Sequence, residues 1–248
     1  MVAISGSELR VSPDLAALSR AAAQFFSDLA AVCAKERGRF SVALSGGSTP
    51  KSLYAMLADA AFRDAIPWPQ VHFFWGDERC VPPDDPESNY RMVREALLSR
   101  VPIPESSVHR MKGEDPDPQH AALEYEAELR RFFHPAPGQF PRFDLVLMGL
   151  GEEGHTASLF PGSPALREHE RLVVAPYVEK LHGFRITMTL PVLNAGANVL
   201  FLVAGEKKAD ILKTVLLERD SLPAQLVRPR EGRLLWFADA AAADKVLH

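Results

Sequence analysis

Apolar residues alternate along the chain between helical spacing and short uninterrupted runs. After a capping segment at residues 12–14 (SPD), apolar side chains recur every third or fourth position until Gly38, which predicts a first helix. Residues 39–44 (RFSVAL) and 71–75 (VHFFW) are short apolar runs that predict strands. A helix over residues 50–58 is predicted between them. The beginning of the chain therefore has a strand–helix–strand order.

The remaining sequence continues this alternation. Further helices are predicted after Ser88 and over residues 120–133, 206–217 and 240–247. Further strands are predicted over residues 143–148, 172–175, 184–190, 199–204 and 234–237. Several of these strands are apolar throughout, so we expect an α/β fold with a mostly parallel sheet and helices on both faces. We predict one domain over residues 1–248, in which the helical segment 88–133 is a candidate small subdomain.

Composition narrows the class of protein. The chain has 248 residues, of which 47% are hydrophobic and 24% charged, as in an average soluble globular protein. A formal net charge of -4 predicts neither a nucleic-acid nor an anionic-membrane partner, so an anionic ligand must be held by a local cluster. Cys33 and Cys80 form no CxxC pair, and the N-terminal residues lack the apolar run of a signal peptide. We expect reduced, buried thiols and a cytoplasmic location.

The segment that follows the first predicted strand has the residues of a phosphate socket. Gly46 and Gly47 allow positive φ and close backbone approach, and Ser48 and Thr49 add hydroxyls at the start of the next helix. The free amides of a helix N-terminus bind phosphate. The segment is neither GxGxxG nor Walker A, and an ordinary tight turn explains the same residues equally well.

The loop after residues 71–75 carries a dense group of charges. Asp77 and Glu78 are adjacent acids, and Arg79 follows them directly. At the carboxyl end of a strand, such a triplet binds polyol hydroxyls and an anion. The ordinary alternative is a solvated loop with a local ion pair.

The loop after residues 143–148 contains a candidate general base. His155 follows two carboxylates, Glu152 and Glu153, in a glycine-rich turn, and we expect it at the start of a short helical segment. Imidazole accepts a proton from water near neutral pH, and either neighbouring carboxylate can set its tautomer. A structural capping histidine is the alternative.

Ligands of open α/β sheets bind beyond the carboxyl ends of the strands, so these three loops predict one shared site. Arg185 and Lys208 are weaker candidates for neutralising a phosphate, since solvated surface positions explain them as well. No spacing typical of metal ligands and no GxSxG motif occurs, so neither a metal site nor a serine nucleophile is expected. Of the other histidines, His72 is expected to be structural and His109 to lie on the surface.

Five segments resemble the 6-phosphogluconolactonase family. They are LSGGSTP (44–50), WGDERCVPPDDPESNY (75–90), GLGEEGHTASLFPGS (149–163), RITMTLPVLNAG (185–196) and GEKKA (205–209). The resemblance implies a Rossmann-like fold related to glucosamine-6-phosphate deaminase and ribose-5-phosphate isomerase. It also implies hydrolysis of 6-phospho-D-glucono-1,5-lactone without a metal or organic cofactor. The expected partner is this phosphorylated sugar lactone, and we expect a monomer or a small homo-oligomer.

The resemblance also leads to hypotheses about individual residues. His155 is expected to act as general base, Arg79 to stabilise the oxyanion and Asp77 to hold sugar hydroxyls. The expected phosphate-binding residues are Gly46, Gly47, Ser48, Thr49, Arg185 and Lys208. The family usually has Asp-Gly-His where this chain has Glu153-Gly154-His155, so the orienting role of Glu153 depends on a side chain one methylene longer.

Two other functions remain open at this point. An amino-sugar phosphate deaminase/isomerase needs an acid–base carboxylate, and Asp77 could serve. A non-catalytic sugar-phosphate sensor would keep the phosphate socket without needing His155.

Overall fold

The computed structural model describes residues 2–4, 6–218 and 221–247. The strands are β1 (Val2–Ile4), β2 (Ser7–Ser12), β3 (Phe40–Leu44), β4 (Val71–Trp75), β5 (Asp77–Arg79), β6 (Val108–His109), β7 (Leu145–Gly149), β8 (Val173–Val174), β9 (Tyr177–Val178), β10 (Gly183–Met188), β11 (Asn198–Val203) and β12 (Arg233–Asp239). The helices are α1 (Leu15–Arg37), α2 (Ser48–Leu57), α3 (Ala60–Arg63), α4 (Asn89–Ala96), α5 (Pro118–Phe133), α6 (Leu190–Asn194), α7 (Ala209–Leu217), α8 (Pro223–Leu226) and α9 (Ala240–Leu247).

Eight strands form one large sheet in the order β1-β2-β12-β11-β7-β3-β4-β6. Every neighbouring pair from β2 to β6 is parallel, and only the pair β1–β2 is antiparallel. All five residues of β3 are buried, because helices and neighbouring strands cover it. The ring of Phe26 on α1 packs edge-on against Phe40 on β3 at 5.1 Å. The predicted α/β class with a mostly parallel sheet is confirmed.

A second, smaller sheet contains β5, β10 and β8, and β9 pairs with β10. All of its pairs are antiparallel. The predicted strands at 172–175 and 184–190 therefore lie outside the large sheet. Residues 77–79, expected as a loop, form the edge strand β5, since strands this short show no readable period. The same reason explains why the sequence analysis missed β1, β6 and β9, whereas β2, with six residues, was missed despite its length.

The first helix begins and ends where its capping residues predict. The Asp14 carboxylate accepts a hydrogen bond from the Ala17 amide at 2.7 Å, which caps α1. At the other end, Gly38 has φ 72° and donates its N–H to the Ala34 carbonyl at 2.9 Å. A left-handed glycine is a typical helix end.

Residues 88–133 contain the predicted helices α4 and α5 and also a strand. That strand, β6, pairs with β4 and thereby joins the segment to the large sheet. The Tyr125 hydroxyl on α5 accepts a hydrogen bond from the Trp75 amide at 2.9 Å. The separate standing of this segment as a subdomain stays a prediction.

Two expectations about side chains need correction. His109, expected on the surface, has a side chain only 10% exposed and stacks on Phe74 at 4.2 Å, because it lies on a strand of the sheet. Both cysteines are free thiols; Cys33 is buried as expected, whereas Cys80 is half-buried. None of the helices within the described ranges combines the length and the apolar character that crossing a membrane requires.

Candidate active site

The strand order of the large sheet reverses between β3 and β7. From β3 the chain adds β4 and β6 on one side, then returns to add β7, β11 and β12 on the other. Ligands of open α/β sheets bind at such a switch point. A cleft of about 370 Å³ lies here, bordered by the loops that follow β3, β7 and β11. Its size is that of a small-molecule site.

The phosphate-socket loop forms one wall of the cleft. Gly47 adopts φ 105°, a region that favours glycine, and directly precedes α2. The buried Tyr54 hydroxyl donates to the Ser45 carbonyl at 2.8 Å and accepts from the Ser45 amide at 3.0 Å, which fixes the start of the loop. The first turn of α2, residues 48–51 (STPK), has no acidic side chain, so its amides offer an uncompensated positive end.

The cleft also contains Asn89, a residue that the sequence analysis did not single out. Its side-chain amide donates to the Asp77 carbonyl at 3.0 Å. A Cβ atom at position 46 would lie 2.0 Å from the Asn89 Oδ1, so glycine is required there. The ESNY stretch of the second resembling motif was the available signal for Asn89, but its contact with the first loop was not readable.

The charged triplet 77–79 divides between two environments because side chains alternate along a strand. Asp77 and Arg79 line the cleft. Glu78 points away from the cleft. Its carboxylate accepts hydrogen bonds at 2.8 Å from the amide of the next residue, Arg79, and from the amides of Asn89 and Tyr90 at the N-terminus of α4. Burial raises the pKa of Glu78 against the lowering effect of these amides. Glu78 is therefore a structural carboxylate.

Both cleft-lining members of the triplet are anchored. The Asp77 Oδ2 accepts a hydrogen bond from the buried Ser158 hydroxyl at 2.7 Å. The Arg79 guanidinium donates to the Glu87 carbonyl at 2.6 Å. These contacts hold a carboxylate and a cation side by side in the cleft.

His155 lines the same cleft as the phosphate-socket loop, and its ring is held on two sides. The ring stacks on Phe160 at 4.3 Å, and a Cβ atom at position 151 would lie 2.0 Å from the His155 Nδ1. Burial lowers the pKa of His155, the Lys208 cation acts in the same direction, and the Glu153 and Asp77 carboxylates oppose them. The imidazole is therefore neutral near pH 7.

Glu153 is the carboxylate beside this histidine, whereas Glu152 is exposed. The Glu153 Oε2 lies 3.2 Å from the His155 Nδ1, although without the angle of a hydrogen bond, and its Oε1 lies 2.6 Å from the Lys180 Nζ. Burial alone would raise the pKa of Glu153, but the Lys180 and His155 contacts outweigh it and lower the pKa to about 2. Glu153 is thus ionised throughout the neutral range.

Three further predictions concern Lys208, Arg185 and the segment around His155. Lys208 lines the cleft, where it follows β11. Arg185 is outside the cleft lining; its guanidinium donates to the Phe184 carbonyl at 3.0 Å, and its phosphate-binding role stays a prediction. The short helix expected at His155 is wrong: residues 150–161 form a loop with turns and a bridge between Thr156 and Leu159, because two glycines and Pro161 interrupt the segment.

Residues 13–236 match the family model of glucosamine-6-phosphate isomerases/6-phosphogluconolactonase. The chain belongs to this family. It is 43% identical over 241 residues to a 6-phosphogluconolactonase of Nostoc sp., an alignment that covers 96% of this chain and 98% of the relative. The solved structure of 6-phosphogluconolactonase from Trypanosoma cruzi matches with TM-score 0.86 and 29% identity, covering 98% of this chain and 97% of that one.

A more distant solved structure has the same fold. A monomeric glucosamine-6-phosphate deaminase matches with TM-score 0.81 at 18% identity, covering 96% of this chain and 99% of that chain. At this identity the match shows the fold alone.

Proposed function

We propose that this protein hydrolyses 6-phospho-D-glucono-1,5-lactone to 6-phospho-D-gluconate, a step of the oxidative pentose phosphate pathway. The observation that carries the proposal is one cleft lined by both a phosphate-socket loop and a half-buried, neutral imidazole. The 43% identity to a Nostoc lactonase supports the choice of substrate.

The phosphate binds at the N-terminus of α2. The backbone amides of Gly47, Ser48 and Thr49 and the two hydroxyls surround it, and Lys208, which also lines the cleft, contributes a cation. Binding through a group remote from the reacting carbon fixes the orientation of the sugar ring.

His155 activates the attacking water. Because Nδ1 faces the Glu153 carboxylate, Nδ1 carries the proton and Nε2 is the free base. Nε2 takes a proton from water as its oxygen bonds to C1 of the lactone, which gives a tetrahedral oxyanion. General-base catalysis of this kind contributes roughly 10²–10⁴-fold.

Arg79 stabilises the oxyanion, and Asp77 holds the sugar hydroxyls. The C1–ring oxygen bond then breaks, and the His155 imidazolium returns its proton to the leaving ring oxygen. A positioned donor to the oxyanion contributes about 10²–10³-fold. No step needs a metal or an organic cofactor, so we expect activity to survive exhaustive treatment with a chelator.

The deciding experiment replaces the proposed base. We expect His155→Ala to lose about 10²-fold or more in kcat on freshly prepared lactone, after correction for spontaneous opening. Wild-type turnover by this variant would refute the general-base role. Equal kcat/KM for gluconolactone with and without the phosphate would refute the socket.

The alternatives give different products in the same assays. Release of ammonia from glucosamine 6-phosphate would identify the deaminase/isomerase. Tight binding of 6-phosphogluconate without lactone turnover would identify a sensor. A monomer or small homo-oligomer in the cytoplasm is part of the proposal, and size-exclusion chromatography and cell fractionation test it.

A further inference from the structure

A lysine outside the cleft touches the carboxylate that faces the proposed base. Lys180 lies on the short turn Glu179–Leu181 between β9 and β10, and its side chain is 69% exposed. Its Nζ is 2.6 Å from the Glu153 Oε1, while the Glu153 Oε2 is 3.2 Å from the His155 Nδ1. One carboxylate therefore joins a surface cation to the catalytic imidazole.

We propose that Lys180 is a positioning residue, which holds the outer oxygen of Glu153 so that the inner oxygen stays beside His155. The proposal rests on the proposed function, because it gives His155 the role of base. Lys180 is not among the described residues that line the cleft, so it acts through Glu153 and not on the substrate.

The length of Glu153 explains why such a tether is needed. A glutamate has three side-chain torsions, and this one is 31% exposed, so an untethered carboxylate would sample several rotamers. The contact with His155 lacks the geometry of a hydrogen bond and does not hold the carboxylate in place by itself. The Lys180 ion pair supplies the second fixed point. Exposed ion pairs ordinarily contribute little to folding stability. We therefore expect the Lys180–Glu153 pair to affect the orientation of His155 and not the stability of the fold.

The ion pair also acts on the proton affinity of the imidazole. The charged groups that face His155 are Glu153 from its own loop, Asp77 from β5 and Lys208 from the turn after β11. The two carboxylates raise the pKa of His155, and Lys208 lowers it. By offsetting the charge of Glu153, Lys180 keeps the imidazole neutral. Its removal should make His155 more basic.

The test compares Lys180→Met with Lys180→Arg, which keeps the cation, and with Lys112→Met. Lys112 forms an exposed ion pair with Glu124 at 2.9 Å, and neither residue lines the cleft. For each variant, the pH profile of kcat/KM is measured on the lactone, and the His155 ring is titrated by NMR without substrate.

In Lys180→Met, we expect the pKa of His155 and the acid limb of kcat/KM to move up by roughly half a pH unit to one unit. We expect kcat on the plateau to fall about tenfold, with KM unchanged, because the imidazole is less well oriented. Lys180→Arg should restore most of the rate, and Lys112→Met should behave as wild type.

The two measurements separate this inference from the proposed function. An unchanged His155 titration together with an unchanged pH profile in Lys180→Met would overturn the positioning role. A shifted NMR titration with no matching shift in the rate profile would leave the Lys180–Glu153–His155 link intact and refute His155 as the base.

Discussion

At the residue scale, the site depends on glycines that leave room for a neighbouring side chain. Gly46 accommodates Asn89, and Gly151 accommodates the His155 ring. In both cases an added Cβ atom would lie 2.0 Å from the neighbour, well inside van der Waals contact. These glycines are required by the side chains that they face, since neither of them adopts a positive φ.

Gly151→Ala therefore tests the packing of the proposed base. The new methyl group must displace the His155 ring, and a misplacement of about 1 Å costs up to about 10²-fold in rate. We expect a fall in kcat of at least tenfold, a small change in KM and a normal circular-dichroism spectrum. Gly183→Ala is the control, because the nearest atom to its Cβ would be the Arg185 Nη1 at 3.5 Å. Equal losses in both variants would contradict this interpretation.

The role of a single residue was predictable where the residues that it contacts belong to the same sequence motif. His155 and Glu153 are two positions apart, so their proximity was readable, although the choice between Glu152 and Glu153 was not. Asn89 escaped attention because its significance depends on contact with Gly46, which only the folded chain provides. Arg185 was chosen for its charge in a strand, and the direction of its side chain was not readable.

At the scale of elements, the three-residue strand β5 places two side chains in the cleft and directs the one between them to a structural role. Asp77 and Arg79 face the cleft, and Glu78 faces the N-terminus of α4. Pairing with β10 imposes this alternation, with Asp77 opposite Thr187 and Arg79 opposite Arg185. In the sequence, the two acids look equivalent, because three residues are too few to show a strand.

Glu78→Gln is expected to destabilise the protein without removing a cleft group. The amide nitrogen cannot accept hydrogen bonds, so at least the part-buried Tyr90 N–H loses its partner, which costs about 1 kcal/mol or more. Urea unfolding followed by tryptophan fluorescence measures the loss. Glu105→Gln, at an exposed position, should change stability by less than about 0.5 kcal/mol. An unchanged midpoint for Glu78→Gln would mean that the carboxylate does not hold α4.

At the scale of the whole molecule, the edge of the large sheet contains a half-buried histidine pair. The His72 Nδ1 on β4 lies 3.2 Å from the His109 Nε2 on β6, and the His109 Nδ1 lies 2.8 Å from a Glu128 carboxylate oxygen. Burial, followed by the proximity of His109 and Arg39, lowers the pKa of His72 to about 4. The fold therefore holds His72 in its neutral form.

This pair predicts a loss of stability in mild acid. Unfolded His72 binds a proton below about pH 6.5, whereas folded His72 does so only near pH 4. Between these values the unfolded state holds more protons, so stability falls as pH falls. Urea unfolding at pH 7, 6, 5 and 4 should show a shallower decline for His72→Phe than for wild type. His169 is exposed, so His169→Gln should keep the wild-type dependence of unfolding free energy on pH. The same pH dependence in wild type, His72→Phe and His169→Gln would contradict the prediction.

The large sheet was predictable because its central strands are uninterrupted apolar runs that only double-sided burial explains. The strand order was not, since no local pattern encodes which strands become neighbours. In the small sheet, β8 and β10 were predicted as strands, whereas β5 and β9 were missed because they have only three and two residues. Yet it is this small sheet that carries Asp77 and Arg79 into the cleft.

The buried hydrogen bond from Ser158 to Asp77 couples these two parts of the molecule. It joins the strand that is proposed to hold the sugar to the loop that carries His155. The distance between the Asp77 carboxylate, which is proposed to hold the sugar hydroxyls, and the loop that carries the proposed base is thereby fixed. A phosphosugar lactone with a shorter carbon chain would leave its carbonyl short of the base, and accepting it would require a change in loop length, since rotating side chains alone would not close the gap.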